Sequence, residues 1–483
     1  MSFLVLLPLV LALFFGLLLS FKKFEDDLAL ANYGIFATVL ISCSVYLAIF
    51  FAYEEKITLL PLDEPLGFTF HLDGLGLIFS ALIAFLWPFA TYYAKTYMSH
   101  EGKYRQFFSF YILSYGAVLG LAFSENMFTL YFFYELITFI TLPLVAHSGD
   151  ARAKYAGKVY ITYMIFGASL SFAGMMIFLN NVGEFHFVYG GISQSLLNTE
   201  MQIAYVLMFL GFGIKAGLVP FHKWIIIAGV APTTVTALLH AVAVVKSGVF
   251  AVMRLTYFLY DYETLQGSAA QAVVLSLVIF SVVYGSYMAV RSLHLKRRLA
   301  YSTISQLSYI LLGVASMSIW GLKAAVLHMI FHAFCKIVLF YFVGNVTYSN
   351  FVEHLSDIKG YGTVLKTTCL SMTISGMGLI GIPPFGNFFS KIGLAMSLFT
   401  VPGWGMVALF ALMTSALLTM IYIFQMILMV YLPEKSFSRA SSIDSAPRSL
   451  ELVLAILTVS MIGLSVCSNW IMEALDFYLK VGV

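Results

Sequence analysis

The chain has 483 residues, of which 61% are hydrophobic and only 10% are aspartate, glutamate, lysine or arginine. A soluble domain is about one quarter charged, so this composition excludes an ordinary soluble protein and indicates a polytopic membrane protein. The net charge of +3 is too small to favour nucleic acid as a partner, and the four cysteines form no CxxC pair that would indicate redox chemistry.

Windows of about 20 apolar residues predict fourteen transmembrane helices, called spans 1 to 14 here. Span 1 is interpreted as a retained helix and not as a signal peptide, because no small-residue cleavage site with a soluble domain follows it. In chain order the spans cover residues 2–20, 28–53, 73–97, 106–122, 127–147, 156–180, 203–230, 232–258, 271–292, 300–318, 322–344, 364–398, 401–431 and 448–472.

Lysine and arginine are distributed unevenly between the two sides of the predicted bundle. The loops after odd-numbered spans carry seventeen of them, whereas the other side carries Lys56, Lys323 and Lys480, with Arg254 at the end of a span. The positive-inside rule therefore places the first set in the cytoplasm and both termini outside, in a cell membrane. The outer loop 54–73 is acidic and is expected to be solvated.

Five charged residues lie near the middle of apolar spans. Placing a charge at bilayer depth costs at least about 2.5 to 3.5 kcal/mol, so such residues usually mark an ion pathway. An unpaired glutamate there would be neutral, and the lysine of span 7 is its natural partner. The five residues are Glu135, Lys215, Lys246, Lys336 and Lys391.

A short motif recurs in spans 7 and 12. Residues 217–221 read Gly-Leu-Val-Pro-Phe and residues 381–385 read Gly-Ile-Pro-Pro-Phe, five spans apart. An odd number of spans between equivalent positions inverts their topology, which is typical of transporters with inverted repeats. Because proline breaks helices, Pro220, Pro383 and Pro384 predict that both spans are broken. Two ordinary proline kinks account for the motif equally well.

Span 11 carries a second candidate group. His328, His332 and Lys336 are spaced by four, so they share one helix face with about 6 Å of rise between neighbours. Neutral imidazole both donates and accepts a proton, which a proton relay requires. His240 in span 8 and His222, just after the break in span 7, are secondary candidates.

The pattern resembles the antiporter-like subunits shared by respiratory complex I, membrane-bound hydrogenases and Mrp-type cation/proton antiporters. That resemblance implies an all-α fold of fourteen helices, with spans 4 to 8 and 9 to 13 as inverted repeats. Residues 1–105 would form the N-terminal helices, 106–258 and 271–431 the two repeats, and 448–483 the C-terminal helix. The similar stretches are residues 71–75, 125–127, 215–224, 231–246, 298–306, 328–336 and 381–391.

The resemblance also implies residue roles. Glu135 and Lys215 match an ion pair in the first half-channel, and Lys246 matches a connecting lysine. His328, His332 and Lys336 match the central relay, and Lys391 matches the terminal amine of the second broken helix. Because Lys391, and not a glutamate, stands at this last position, the resemblance argues against one of the complex I subunit types. The chain length and residues 238–246 are most similar to the D-type subunit of an Mrp module.

These features predict a subunit that moves protons along a buried axis within an Mrp-type antiporter, or within a hydrogenase or oxidoreductase that contains an Mrp module. The alternative is a pumping subunit of a complex I-type quinone oxidoreductase; a structural anchor or an independent solute carrier is less favoured. Expected partners are other membrane subunits, a peripheral redox arm and lipid, with sodium passing, if at all, through another subunit. No phosphate loop, metal-ligand cluster or flavin motif occurs, so we expect no cofactor in this chain.

Overall fold

The computed structural model describes residues 2–60, 67–183, 186–192, 197–433 and 445–479. In these ranges the first ten helices are α1 (Phe3–Phe21), α2 (Asp27–Phe51), α3 (Gly74–Tyr97), α4 (Tyr104–Ala122), α5 (Met127–Val145), α6 (Ala151–Val182), α7 (Thr199–Lys215), α8 (Lys223–Ile227), α9 (Thr233–Ala241) and α10 (Val244–Arg254). The next ten are α11 (Tyr262–Leu265), α12 (Ala269–Arg291), α13 (Leu295–Ala315), α14 (Ile319–Asn350), α15 (Tyr361–Val364), α16 (Lys366–Ile380), α17 (Gly386–Leu398), α18 (Gly405–Tyr431), α19 (Arg448–Val466) and α20 (Ser468–Tyr478). Shorter helical turns cover Ala228–Val230, Leu255–Leu259 and Leu355–Ile358.

Within the described ranges, ten helical segments are long and apolar enough to cross a membrane, or eleven if a bent pair around residue 365 is counted as one. The chain is therefore a multi-pass membrane protein. The ten correspond to predicted spans 1, 2, 3, 5, 6, 8, 9, 11, 13 and 14. Spans 4 and 10 are also helical, as α4 and α13, whereas spans 7 and 12 are each divided into shorter pieces.

The break in span 7 has partners for the backbone groups that it frees. Helix α7 ends at Lys215, and Gly217 follows with φ of +77°, a conformation that glycine adopts without a steric penalty. The indole Nε1 of Trp224 donates to the carbonyl of Ile214 at 2.8 Å. The amide of Val219 donates to Ser281 Oγ at 3.0 Å. Side chains thus replace the hydrogen bonds that a continuous helix would make.

The break in span 12 is built in a similar way. Helix α16 ends at Ile380, Gly381 has φ of +84°, and α17 begins at Gly386. The Asn387 side-chain amide donates to the carbonyl of Gly378 at 2.9 Å, which satisfies one carbonyl of the last turn of α16.

Span 8 is present as the membrane-length segment Thr233–Leu259, but its helix is interrupted in the middle, which the sequence analysis did not predict. Helix α9 ends at Ala241 and α10 begins at Val244, and the amides of Val242 and Ala243 both donate to the carbonyl of Leu238, at 3.1 and 2.9 Å. No proline or glycine stands at the interruption, so the sequence carried no signal for it.

The outer loop 54–73 also differs from the prediction. Strands β1 (Lys56–Leu60) and β2 (Phe68–His71) pair antiparallel, so the all-α prediction misses a two-stranded sheet. Residues 61–66, and likewise the predicted loop cations Lys435, Arg439 and Lys480, lie outside the described ranges. At the end of this loop, Asp73 caps α3 by accepting from the amide of Gly76 at 2.9 Å.

Asp73 is not solvated as expected but is paired with Arg254 at the end of α10. Both terminal guanidinium nitrogens of Arg254 donate to the carboxylate, and the side chains of Arg254 and Asp73 are only 1% and 16% exposed. The rings of Phe187, Phe250 and Phe258 surround the guanidinium, with its central carbon 4.8 to 5.4 Å from the ring centroids. This buried pair ties the start of α3 to the helix that carries Lys246.

Helices α9, α10 and α14 form the interior of the bundle. All residues of α9 and α10 are buried, as are nearly all residues of α14 from Gly321 to Val346. Lys246 and Lys336, which lie on α10 and α14, therefore face protein and not lipid. Such burial is expected for ionisable groups inside a membrane.

Replacing Arg254 with leucine should destabilise the protein by about 3 to 5 kcal/mol, because Asp73 would be left buried without its partner. The double variant Asp73→Asn/Arg254→Leu keeps a capping side chain on α3 and removes both charges, so it should regain most of that loss. Thermal unfolding of the detergent-purified protein measures both effects, with the exposed Lys158→Gln as control. A double variant no more stable than Arg254→Leu alone would refute the pairing argument.

Candidate functional site

The structure brings Glu135 and Lys215 together beside the first broken helix. Glu135 lies on α5 and Lys215 is the last residue of α7, with 3.8 Å between Glu135 Oε1 and Lys215 Nζ. The lysine is 1% exposed and donates to the carbonyl of Tyr134, and its amine lies 3.3 Å from the centroid of the Tyr134 ring. Glu135 Oε1 has no hydrogen-bond partner among the described residues. The carboxylate is therefore a neighbour of the amine without being locked to it.

Lys246 connects this region to the centre of the bundle. Helix α10 passes close to the break, because a Cβ added at Gly248 would lie only 3.0 Å from the Cβ of Lys215. Lys246 itself is fully buried, and its amine lies within hydrogen-bonding distance of His332 Nδ1 on α14. The sequence suggested no contact between these two residues, which are 86 positions apart.

His328, His332 and Lys336 line one face of α14, as their spacing predicts, and all three are fully buried. The two imidazole rings are nearly parallel, with centroids 6.1 Å apart. The side chain of Lys336 extends toward α13. Its amine donates to Ser302 Oγ at 2.6 Å and to the carbonyl of Leu299 at 3.1 Å. Lys336 is thus anchored away from the two histidines.

The row continues from His328 to the second broken helix. His328 Nδ1 and Ser390 Oγ are 2.9 Å apart, and Lys391 follows Ser390 on α17. The Lys391 amine donates to the carbonyls of Leu379 and Ile380, at 3.0 and 2.6 Å. These are carbonyls that the break leaves without helical partners, and the negative end of a helix dipole favours a cation there.

The two secondary candidates lie beside the row and not within it. His240 is buried against Phe340, with ring centroids 4.9 Å apart, and neither ring nitrogen has a hydrogen-bond partner in the described part of the chain. His222 packs edge-on against Tyr284 at 5.0 Å. Neither histidine forms a hydrogen bond with the lysines of the row.

A cluster of buried hydroxyl groups escaped the sequence analysis. Tyr309 donates to Ser415 Oγ at 2.8 Å, Ser415 Oγ lies 3.1 Å from Ser305 Oγ, and Ser305 Oγ lies 2.6 Å from Ser286 Oγ. The ring of Tyr309 lies 5.3 Å from the Lys391 amine and 5.5 Å from the His328 ring. Serine and tyrosine are common in membrane helices, so only their convergence in space distinguishes them.

Together these contacts form a row of titratable groups from the first break to the second. Amines and neutral imidazoles can each accept and release a proton, and hydroxyl groups can pass one on. Glu135 is the carboxylate that contacts the row. A set of bases suits proton transfer better than the binding of a hard metal cation, which prefers oxygen ligands.

Comparison with known proteins agrees with the family suggested by the motifs. Residues 124–419 match the family model described as NADH:quinone oxidoreductase/Mrp antiporter, TM. The Na(+)/H(+) antiporter subunit A1 of Staphylococcus haemolyticus is 30% identical over 343 residues, which are 68% of this chain and 42% of that protein. The chain thus spans less than half the length of subunit A1. The NADH-quinone oxidoreductase subunit N of Desulforudis audaxviator is 30% identical over 380 residues, covering 76% of this chain and 74% of that protein.

Two solved structures have the same fold. A chain of the membrane-bound sulfane sulfur reductase, an archaeal respiratory membrane complex, superposes with a TM-score of 0.84 over 99% of this chain and 96% of its own, at 21% identity. A chain of the Mrp complex from Dietzia sp. DQ12-45-1b also has a TM-score of 0.84, covering 99% of this chain and 98% of its own, at 19% identity. At such identities the likeness concerns the fold alone. The match over residues 124–419 shows that the chain belongs to the NADH:quinone oxidoreductase/Mrp antiporter family.

Proposed function

We propose that this chain is a proton-translocating subunit of a multisubunit membrane complex. The observation that carries the proposal is the contact between Lys246 and His332. It joins α10, which passes beside the Glu135/Lys215 pair at the first break, to the histidines that lead to Lys391 beside the second. Without this contact, the two broken helices would hold two separate groups of charges.

The driving element in this proposal is the distance between Glu135 and Lys215. At 3.8 Å the carboxylate favours the charged amine, and no hydrogen bond from a described residue holds its Oε1 in place. When the acid approaches, Lys215 holds its proton more tightly; when it retreats, the buried amine releases the proton. A shift of one side chain can therefore push a proton toward Lys246.

The contacts favour one order for the pathway beyond Lys246. The proton passes to His332, then to His328, and by way of Ser390 to Lys391. Lys336 is bound to Ser302 and the carbonyl of Leu299, so it belongs to a side branch and not to the direct route. Waters must complete the route between Lys215 and Lys246 and between the histidine rings, because those groups do not touch.

The repeat organisation and the orientation are also part of the proposal. We infer fourteen spans, with spans 4 to 8 and 9 to 13 as inverted repeats within residues 106–258 and 271–431, flanked by 1–105 and 448–483. Among the described cations assigned outside, Lys56 pairs with Glu125, Arg254 with Asp73 and Lys323 with Asp476. The uneven distribution of lysine and arginine supports the cationic side as cytoplasmic and both termini as outside, in a cell membrane.

The relatives suggest two kinds of complex. Similarity to an Na(+)/H(+) antiporter subunit and to the fold of an Mrp complex chain supports a cation/proton antiporter or a reductase built with such a module. Lys391 and the run at 238–246 favour the D-type position within it. Similarity over 74% of an NADH-quinone oxidoreductase subunit N supports a complex I-type pump as second candidate. In either complex, neighbouring membrane subunits surround this chain, and any sodium passes through one of them.

Replacing Glu135 with glutamine, or Lys215 with methionine, should lower proton flux about 100-fold. This is the lower end of the rate effect expected when a positioned acid or base is removed. Flux is measured in proteoliposomes that contain the purified complex, with subunit composition checked for each variant. Lys158→Met, an exposed lysine on α6, is the matched control. Flux near the wild-type rate in either variant of the pair would refute the proposed function.

The proposed order predicts a difference between two neighbours on α14. His332→Phe should reduce proton flux about 100-fold because it interrupts the direct route, whereas Lys336→Met should retain most of the flux. The same proteoliposome assay compares the two variants at equal protein content. Equal losses of proton flux in the two variants would contradict the assignment of Lys336 to a side branch. A larger loss for Lys336→Met would place Lys336 on the direct route in place of His332.

A further inference from the structure

A cavity of about 820 Å³ opens on the cationic side of the bundle, between the ends of several helices. Its wall includes the first turns of α6 and α13 and the residues that follow α8. Because it is bounded by helix ends, the cavity lies where the membrane interior meets water. None of its lining residues takes part in the row of buried bases.

Three cations surround this cavity. Arg152 is in the first turn of α6, and Lys296 and Arg297 are in the first turn of α13. The Lys296 amine donates to the carbonyl of Ala231 at 3.1 Å. Arg152 and Arg297 make no hydrogen bond or ion pair with any described residue. Cations at a helix N-terminus face the positive end of the helix dipole, so an anion between them would relieve an unfavourable arrangement.

The two acidic residues of the cavity do not pair with its arginines. Asp150 caps α6 by accepting from the amide of Ala153 at 2.7 Å. Glu353 Oε2 lies 3.5 Å from His294 Nε2. Burial lowers the pKa of His294, so this ring adds little positive charge near pH 7 and does not neutralise Glu353. The three cations therefore outnumber the two acids of the cavity. Neither acid contacts Arg152 or Arg297, which leaves both guanidinium groups available to a ligand.

Part of the cavity wall is apolar. Ile226 and Ile227 line it, and Val230 and Tyr155 are 45% and 61% exposed. A free anion in water would gain nothing from such a wall. A molecule with an anionic head and a hydrocarbon tail would bury these side chains while its head meets the guanidinium groups.

We propose that this cavity binds the phosphate headgroup of an anionic phospholipid, with one acyl chain against Tyr155, Ile226 and Val230. Arginine is well suited to the head because its planar guanidinium binds phosphate through two hydrogen bonds. The lipid would bridge the two predicted repeats, because α6 and the segment after α8 belong to the first repeat and α13 belongs to the second. Helix α13 also holds the Ser302 and Leu299 acceptors of Lys336. This proposal does not depend on the proposed function.

The test uses the purified complex and a phosphatidylglycerol that carries a photoreactive group on its acyl chain. We expect crosslinks in the peptides that contain Tyr155 and residues 226–230, and background labelling with the phosphatidylcholine analogue. The variant Arg152→Gln/Arg297→Gln should need about 30-fold more phosphatidylglycerol for half-maximal labelling, since each surface cation contributes roughly a fivefold factor. Arg152→Lys/Arg297→Lys should lie between wild type and the glutamine variant, because lysine keeps the positive charge but not the two parallel hydrogen bonds to phosphate.

A matched control is Lys154→Gln/Lys158→Gln, which removes two exposed cations from the same end of α6 outside the cavity and should not change labelling. Equal labelling in this control and in the double arginine variant would overturn the site. So would equal labelling by the phosphatidylcholine analogue. Full displacement of the phosphatidylglycerol probe by millimolar inorganic phosphate would assign the cavity to free phosphate and would overturn the lipid assignment.

Discussion

A lysine amine at the centre of a membrane protein needs a partner, because its charge cannot be solvated there. Each of the four buried lysines meets this requirement differently. Lys215 has a backbone carbonyl and Glu135 nearby, Lys246 has the ring of His332, and Lys336 has a serine and a carbonyl. Lys391 has the last carbonyls of α16. Only Lys215 is offered a full negative charge, so the row holds more basic sites than counter-charges.

This shortage of counter-charges gives the row its chemical character. A proton on one base raises the cost of protonating the next, since like charges repel strongly in a medium of low dielectric constant. The row therefore carries few protons at a time. A charge near one base changes the proton affinity of the next base. Proton transfer along such a row can respond to a movement of Glu135 without any large conformational change.

The two helix breaks supply backbone carbonyls that continuous helices would keep in their own hydrogen bonds. A break exposes backbone carbonyls inside the bundle, and these polarised oxygens stabilise a nearby amine. Lys391 uses them directly, whereas at the first break Trp224 occupies the carbonyl of Ile214 and Lys215 turns to Tyr134. The two ends of the row therefore differ in chemistry, with an acid at one end and helix carbonyls at the other. This asymmetry suits transport with a direction.

The features that sequence analysis predicted well have strong local signals. Proline and glycine mark both breaks, and a spacing of four places His328, His332 and Lys336 on one face. The interruption at Val242 has no such signal, and it arises where α9 and α10 are packed on all sides. The ion pair of Asp73 joins residues 181 positions apart, and the hydroxyl cluster around Ser415 joins α12, α13 and α18. Such contacts depend on tertiary packing, which no local pattern encodes.

The central claim is that the buried row is connected by water, because protons cannot otherwise cross the gaps between its bases. Radiolytic hydroxyl labelling of the intact complex tests this directly, since it modifies aromatic side chains beside bound water. Labelling should be rapid at Tyr134 and Tyr309, next to the row, and slow at the equally buried Tyr111, which packs from α4 against Trp87 of α3. Labelling of Tyr134 and Tyr309 as slow as that of Tyr111 would show a dry row and would contradict the account.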